Sequence, residues 1–434
     1  MNIRTAFFSA RLSLVLVSAM SCQAVKAGSE AAAGGNPASA KPPSGWQQWH
    51  GLNRDGKSLE TGLLKSWPPE GPKLLWKNPD VGFGWSSVSV GGGLAYTTGL
   101  MPDNHLHMTA LDMQGKITWS KDVGAAFTNS YKGARSTPTY ENGDLFLLGC
   151  LGVLGCYDAK TGDTKWQRDI RKDFQSHPTK WMFAESALLV DNMVIATPGG
   201  TNAFMVALNR NDGTTVWESG PFGPACYSSP IYAVYEGVPM IINGAANGIT
   251  GIHAKTGKLL WTNDFAAGNV ANCPTPICED GRVFWAVGYG RGGICLKLSV
   301  SGENVTATEL WRTQDVDPQY GGYVLHDGYL YGSVGYEWTC LDFKTGKTLW
   351  KADGVRKGAI SYADGMLYLY GIDKGHTILA PASPKGLEPA GEFRLYDRKS
   401  PPGRAHPAIA DGRLYLRCDM GVYCFDLRQG QPAK

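Results

Sequence analysis

Eight positions, of which three are cationic and three are aromatic, recur along this chain of 434 residues at intervals of roughly 37 to 50 residues. They are Trp85, Arg135, Ala184, Tyr227, Cys273, Tyr320, Lys357 and Arg404. Lys180 and Trp181 lie in a loop beside one of them. Aromatic rings stack on flat ligands, and cationic side chains neutralise carboxylates. If the fold brings these positions together, they predict a binding pocket for a flat polyanion.

Four side chains at or beside these positions are candidates for proton transfer: Tyr227, Tyr320, His406 and Glu185. In this hypothesis a tyrosine or the histidine acts as acid or base while Arg135 or Arg404 holds a substrate carboxylate. The alternative is that all of them are ordinary rim and packing residues, with His406 a structural histidine. Neither His177 nor His326 has a second histidine at ligand spacing, so the sequence predicts no metal site.

A repeated segment shows which elements must position these residues. Each copy has an apolar pair, a polar residue, a turn centred on Gly and then a Trp, most clearly from Leu341 to Trp350. The copies are marked by Trp76, Trp119, Trp166, Trp217, Trp261, Trp311 and Trp350, with Phe393 in the eighth place. A period in the forties with short strands and Gly turns is typical of a four-stranded propeller blade. We expect each Trp to act as a wedge between blades.

The repeats predict one all-β domain over residues 73–427, an eight-bladed β-propeller of four-stranded antiparallel blades. The last repeat contains three strands, whereas the segment around Trp76 is an outer strand with no blade before it. We therefore expect this N-terminal strand to complete the last blade, which removes the exposed sheet edges. Residues 46–72 are then an N-terminal extension, and residues 428–434 are a C-terminal tail.

The N-terminus has the composition of an export signal. An apolar run from Leu12 to Met20 follows two arginines and is too short to span a bilayer. A small-residue cleavage site ends at Ala27, so residues 1–27 are a predicted signal peptide and residues 28–45 a flexible leader rich in Ala, Gly, Pro and Ser. The alternative is lipid attachment at Cys22, which would tether the protein to a membrane. Both interpretations predict a periplasmic or secreted protein with no transmembrane segment in its mature form.

Charge and cysteine spacing narrow the classes of partner and cofactor. The formal net charge is +3 with 18% charged residues and no basic tract, so nucleic acid is not the expected partner. There is no Cys-x-x-Cys pair, which argues against c-type haem and a four-cysteine zinc site. The pairs Cys150/Cys156 and Cys418/Cys424 share a spacing, and either disulfides or small buried thiols explain them.

The Leu341–Trp350 segment, at this period in an exported chain, resembles the repeat of pyrroloquinoline-quinone-like (PQQ-like) β-propellers. The resemblance covers the chain from Trp46 onward, and the opening Trp46-x-x-Trp49-His50-Gly51 is similar to exported propellers related to the outer-membrane assembly factor BamB. The BamB branch implies a scaffold that performs no chemistry. The quinoprotein dehydrogenase branch implies PQQ with calcium, and commonly an adjacent cysteine pair that this sequence lacks.

These observations favour a binding or scaffold protein of the cell envelope, with an envelope protein or a glycan as partner. One alternative is a PQQ-dependent alcohol or sugar dehydrogenase with calcium in the channel. A second alternative is a lyase or hydrolase that acts on an acidic polysaccharide.

Overall fold

A computed structural model of the protein describes residues 45–396 and 403–430. The predicted signal peptide, Cys22, residues 28–44 of the leader and residues 431–434 of the tail lie outside the described residues. Within the described ranges the chain is almost entirely β-structure, with one short helix, α1 (Ile170–Asp173). No helix in these ranges is long and apolar enough to cross a membrane.

The strands form eight antiparallel blades of four strands each. Two strands precede the first complete blade, β1 (Lys57–Ser58) and β2 (Leu74–Asn78). Blades one and two are β3 (Ser89–Gly91), β4 (Leu94–Leu100), β5 (His105–Leu111), β6 (Ile117–Ala125), β7 (Thr139–Glu141), β8 (Asp144–Leu148), β9 (Val153–Asp158) and β10 (Thr164–Asp169). Blades three and four are β11 (Leu188–Val190), β12 (Met193–Ala196), β13 (Val206–Asn209), β14 (Thr215–Glu218), β15 (Ile231–Tyr235), β16 (Val238–Ala245), β17 (Gly248–His253) and β18 (Leu259–Asn263).

The second half of the ring repeats this order. Blades five and six are β19 (Ile277–Glu279), β20 (Arg282–Val287), β21 (Gly292–Ser301), β22 (Asn304–Thr313), β23 (Val324–His326), β24 (Tyr329–Val334), β25 (Glu337–Asp342) and β26 (Thr348–Asp353). Blade seven is β27 (Gly358–Ala363), β28 (Met366–Gly371), β29 (His376–Pro381) and β30 (Gly391–Arg394). Blade eight has β31 (Ala408–Ala410), β32 (Arg413–Cys418) and β33 (Gly421–Asp426), and β2 is its fourth strand.

The predicted ring closure is confirmed by the pairing of β2 with β33. Trp76 lies opposite Cys424, and Leu74 lies opposite Phe425, in an antiparallel register. The first and last parts of the propeller therefore share one sheet, and blade eight has no unpaired edge beside β33. The short strand β1 adds a feature that the repeats do not predict, because it pairs in parallel with β27 and gives blade seven a fifth, inner strand.

The repeated Trp and Gly of the sequence meet across five of the eight blade boundaries. Trp119 in blade one is 8% exposed, and its Nε1 donates a hydrogen bond of 3.2 Å to the carbonyl of Ala159 in blade two. A Cβ atom on Gly162 would lie 2.7 Å from the Trp119 ring, so the indole packs directly on the bare glycine backbone. The same arrangement joins Trp76 to Gly115, Trp166 to Gly213, Trp217 to Gly257 and Trp311 to Gly346. The predicted wedge is therefore a contact between one blade's outer strand and the next blade's turn.

The paired cysteine spacings do not correspond to disulfides. All nine cysteines in the described residues are free thiols, and seven of them are buried. Cys156, Cys340 and Cys424 occupy matching places in the third strands of their blades, where small side chains fit between sheets.

The Trp–Gly contact predicts a selective loss of stability in Gly162→Ala. The alanine must adopt a φ of +76° and also push its methyl group into the Trp119 ring. We expect a loss of about 2–4 kcal/mol in the free energy of unfolding, measured by urea denaturation. Gly365→Ala is the matched control, because Gly365 has a φ of +78° with nothing within 4 Å of the added Cβ. Equal losses in the two variants would show that the contact contributes nothing.

Candidate functional site

An inner belt of hydroxyl groups joins successive blades around the channel. The backbone N–H of Ser87 donates to Thr137 Oγ1 at 2.9 Å, and that of Thr137 donates to Ser186 Oγ at 2.9 Å. The N–H of Ser186 continues the series to Ser229 Oγ at 3.0 Å. These small residues lie two positions before the innermost strands of blades one to four, so the positions predicted to crowd the axis also hydrogen-bond one blade to the next.

Residues 45–56, which we call the channel plug, fill the space inside this belt. The plug forms hydrogen bonds with residues at the inner ends of six blades, namely Val90, Tyr140, Ser186, Thr275, Tyr362 and His406. Arg54 is 2% exposed and donates to the carbonyls of Ser186 at 2.6 Å and Ala187 at 2.9 Å. The channel is therefore closed by residues that the sequence identifies only as an extension before the first strand.

A pair of buried histidines holds the plug at the level of the belt. His50 Nε2 lies 2.8 Å from His406 Nδ1, and the His50 ring stacks on Trp49 with a centroid separation of 4.3 Å. Burial lowers the pKa of His406 to about 4, and burial together with the neighbouring His406 lowers the pKa of His50 well below its usual value. Gly322 makes room for this pair, because a Cβ there would lie 3.1 Å from the His50 ring.

A pocket of about 160 Å³ opens above the plug. Seven of the eight positions picked out in the sequence line it, and Trp49 and Trp181 contribute further aromatic surface. The lining consists of Trp49, Trp85, Tyr131, Arg135, Trp181, Ala184, Tyr227, Ser229, Ala271, Cys273, Tyr289, Tyr320 and Arg404. The structure thus brings together side chains that are hundreds of residues apart in the sequence, as the repeat predicts.

The two arginines of the pocket have no acidic partner among the described residues. The guanidinium carbon of Arg404 lies 4.3 Å from the ring centroid of Tyr320 and 4.6 Å from that of Trp85. Its buried Nε has no hydrogen-bond partner in the described chain. Arg135 lies 5.8 Å from the Trp85 centroid, and burial lowers its pKa. Two cations held by aromatic rings, with no carboxylate in the lining, make the pocket electropositive.

Hydrogen bonds fix the wall of the pocket formed by Trp181 and Tyr227. The backbone N–H of Trp181 donates to the Tyr227 hydroxyl at 3.0 Å, and the indole N–H donates to Ser130 Oγ at 3.1 Å. Burial raises the pKa of Tyr227. The Tyr227 hydroxyl therefore has a structural role as an acceptor, and Tyr320 is the other candidate acid or base that lines the pocket.

Four residues assigned to the site from the sequence lie outside the pocket lining. His406 is covered by the plug, and Glu185 is 2% exposed with its carboxylate accepting the N–H of Thr197 at 3.0 Å. Burial raises the pKa of Glu185 to about 7. Lys357 lines a neighbouring small cavity and donates to Gln319 at 2.7 Å, and Lys180 is exposed beside Trp181. The roles proposed for these four residues have no geometric support and stay predictions.

Trp49, Tyr289 and Ala271 are lining residues that the sequence pattern does not assign to the site. Trp49 precedes the repeats, so no repeat position identifies it, and the only signal was the unusual Trp46-x-x-Trp49-His50 opening. Tyr289 lies in the loop between β20 and β21, flanked by Gly288 and Gly290. A large aromatic residue between two glycines was the available signal for that position.

No cluster of three or more His, Cys, Asp and Glu side chains in residues 45–396 and 403–430 could hold a metal ion. Cys273, the thiol of the pocket, is kept protonated because burial raises its pKa to about 12. The site therefore offers positive charge, ring faces and neutral polar atoms, which is the chemistry of anion binding.

A sequence profile of the family described as outer membrane protein assembly factor BamB matches residues 45–205 and 104–352. The chain belongs to this family of PQQ-like propellers. BamB from Yersinia pestis is 26% identical over 287 residues, which are 62% of this chain and 68% of that protein. The quinoprotein alcohol dehydrogenase PedH from Pseudomonas putida is 26% identical over 207 residues, but the match covers only 31% of that enzyme.

Solved structures of a BamB protein and of a quinohemoprotein alcohol dehydrogenase resemble this BamB-like propeller. BamB from Moraxella catarrhalis superposes with a TM-score of 0.56 at 14% identity, covering 80% of this chain and 96% of that one. The quinohemoprotein alcohol dehydrogenase of Comamonas testosteroni superposes with a TM-score of 0.63 at 12% identity, covering 91% of this chain and 82% of that one. At these identities the similarity shows the fold alone and does not identify an activity.

The buried histidine pair predicts that acid destabilises the BamB-like propeller. Below about pH 6.5 unfolded His406 takes up a proton, whereas folded His406 stays neutral until about pH 4, so stability falls as the pH drops through this window. We expect His406 alone to contribute a loss of about 3 kcal/mol by pH 4. The measurement is urea unfolding at several pH values.

The variant His406→Asn should flatten this pH dependence, because asparagine does not titrate there. His177→Asn is the control, since His177 is exposed and outside the pocket. An unchanged slope in His406→Asn would contradict the assignment.

Proposed function

We propose that this protein is an exported binding protein of the cell envelope that holds an anionic group in its central pocket. The observation that carries the proposal is the pair Arg135 and Arg404, two partly buried cations with no carboxylate in the lining. Unpaired buried charge lowers the stability of a protein, and an anionic ligand would supply the missing counter-charge.

Export is supported by the family, whose described members are outer membrane assembly factors. The signal peptide over residues 1–27 and the lipid anchor at Cys22 remain predictions, because they lie outside the described residues. In this proposal the partner is an envelope component that presents an anionic group to the pocket face of the propeller, either as a free ligand or as part of a larger molecule.

The pocket does not fit the calcium that the dehydrogenase branch of the resemblance implies. Its ring faces and arginines suit a planar carboxylate, but none of its described lining residues is an Asp, Glu or Asn that could bind calcium. The dehydrogenase alternative therefore has less support than a binding role.

The polysaccharide lyase or hydrolase alternative also has less support. It needs an acid or base that reaches the substrate, and neither His406 nor Glu185 lines the pocket. The Tyr227 hydroxyl already accepts the Trp181 N–H at 3.0 Å. Among the four candidates Tyr320 remains in position, and the described lining has no carboxylate or histidine to act as its partner in proton transfer.

Photo-crosslinking in intact cells tests the binding role. A photoreactive amino acid replaces Val270, which is 58% exposed and adjacent to the lining residue Ala271. We expect adducts at this position, and we expect Arg135→Gln combined with Arg404→Gln to remove most of them because the anion loses its counter-charges. Mass spectrometry of the adduct reads out the partner.

The matched control places the same group at Val216, which is 51% exposed on the outer strand β14. Equal crosslinking at both valines, or adducts at Val270 that persist in the double arginine variant, would argue against the pocket as the binding site.

A further inference from the structure

The hydrogen bonds of the two pocket arginines divide their roles. Arg135 donates from NH1 to the carbonyl of Trp181 at 3.0 Å and from NH2 to the carbonyl of Tyr131 at 2.7 Å. Both terminal nitrogens of Arg135 therefore already hold two loops of the pocket wall together. Its charge still acts on the pocket, but much of its donor capacity is used.

Arg404 is positioned by ring contacts that leave its donors unused. It lies against Tyr320 at 4.3 Å, Trp85 at 4.6 Å and Tyr131 at 5.1 Å, measured from its guanidinium carbon to the ring centroids. It donates no hydrogen bond to any residue in the described ranges, and its Nε is buried without a partner. A guanidinium that is held by ring faces presents its N–H edge, whose planar fork matches a carboxylate.

The rest of the lining indicates what the carboxylate is attached to. Trp49, Trp181 and Tyr289 add ring faces, whereas the Ser229 hydroxyl already accepts the Ser186 N–H at 3.0 Å. A sugar acid would bring several hydroxyl groups that need polar partners beyond the tyrosine hydroxyls of the lining, and a phosphate would need N–H donors on several sides, whereas Arg404 presents one edge. An apolar ring body requires neither, because it packs on the aromatic walls.

We infer that the pocket binds a small planar molecule that carries a single carboxylate on an apolar ring, with Arg404 as the residue that contacts the carboxylate. One arginine with free donors matches one carboxylate. The inferred ligand therefore carries less negative charge than the flat polyanion that the sequence predicted. A tricarboxylate would bring further negative charge. Only Arg135 could neutralise it, and its terminal nitrogens already donate hydrogen bonds to two carbonyls. This inference rests on the proposed anion-binding function and specifies its ligand class.

Titration of the full mature chain tests this inference, with calorimetry and tryptophan fluorescence as readouts. The probes are 2-naphthoate, its neutral analogue 2-naphthamide, glucuronate and inorganic phosphate. We expect 2-naphthoate to bind most tightly and to quench tryptophan fluorescence, because Trp85 and Trp49 line the site. We expect Arg404→Gln to weaken 2-naphthoate binding at least tenfold and to leave the weak binding of 2-naphthamide nearly unchanged.

The control variant is Arg356→Gln. Arg356 also stacks on a tyrosine, 4.5 Å from the Tyr336 centroid, but it does not line the pocket. It should leave 2-naphthoate binding unchanged, and the thermal unfolding of both variants confirms that they fold.

The other possible results separate the role of Arg404, the ligand class and the anion-binding function. Equal 2-naphthoate affinity in wild type and Arg404→Gln would overturn the role of Arg404. Tighter binding of glucuronate or phosphate, lost in the arginine variant, would overturn the ring-carboxylate class while leaving the anion-binding function standing. Binding of none of the three anions would overturn both the inference and the proposed function.

Discussion

The contact between a tryptophan on one blade's outer strand and a glycine in the next blade's turn is the interaction on which the structure depends. Trp119 on Gly162 is an example, and the indole N–H adds a hydrogen bond to the carbonyl of Ala159. Because only glycine leaves room for the ring, the contact sets how closely two blades approach. The contact recurs at five of the eight blade boundaries, and β2 in blade eight closes the ring.

The width of the resulting channel determines what can fill it. The hydroxyl belt that includes Ser87 and Thr137 ties the blades together at the inner edge, and the channel plug occupies the space within it. Gly322 leaves room for His50, which pairs with His406 and supports Trp49 under the pocket. The closed channel leaves a pocket whose floor includes Trp49, and His50 and His406 lie buried beneath it.

The sequence predicts the parts of this arrangement that repeat, because a fixed period carries both the blade boundaries and the positions nearest the axis. That is why the alignment of Trp85, Arg135, Tyr227, Tyr320 and Arg404 could be expected from the sequence. The plug occurs once and has no period, so its path through the channel could not be expected. Arg135 uses its donors on backbone carbonyls of neighbouring loops, whereas Arg404 does not do so within the described chain. The sequence pattern does not reveal this difference in hydrogen bonding.

The most direct test of an anion-binding pocket above a closed channel is a crystal structure with 4-bromobenzoate, using the anomalous signal of bromine. We expect one strong bromine peak inside the pocket, with the carboxylate against the Arg404 guanidinium and the ring against Trp85 or Trp49. The plug should remain in the channel with His50 paired to His406. A pocket without bromine at saturating ligand, or an Arg404 that pairs with a protein carboxylate instead, would show that the pocket is not an anion-binding site.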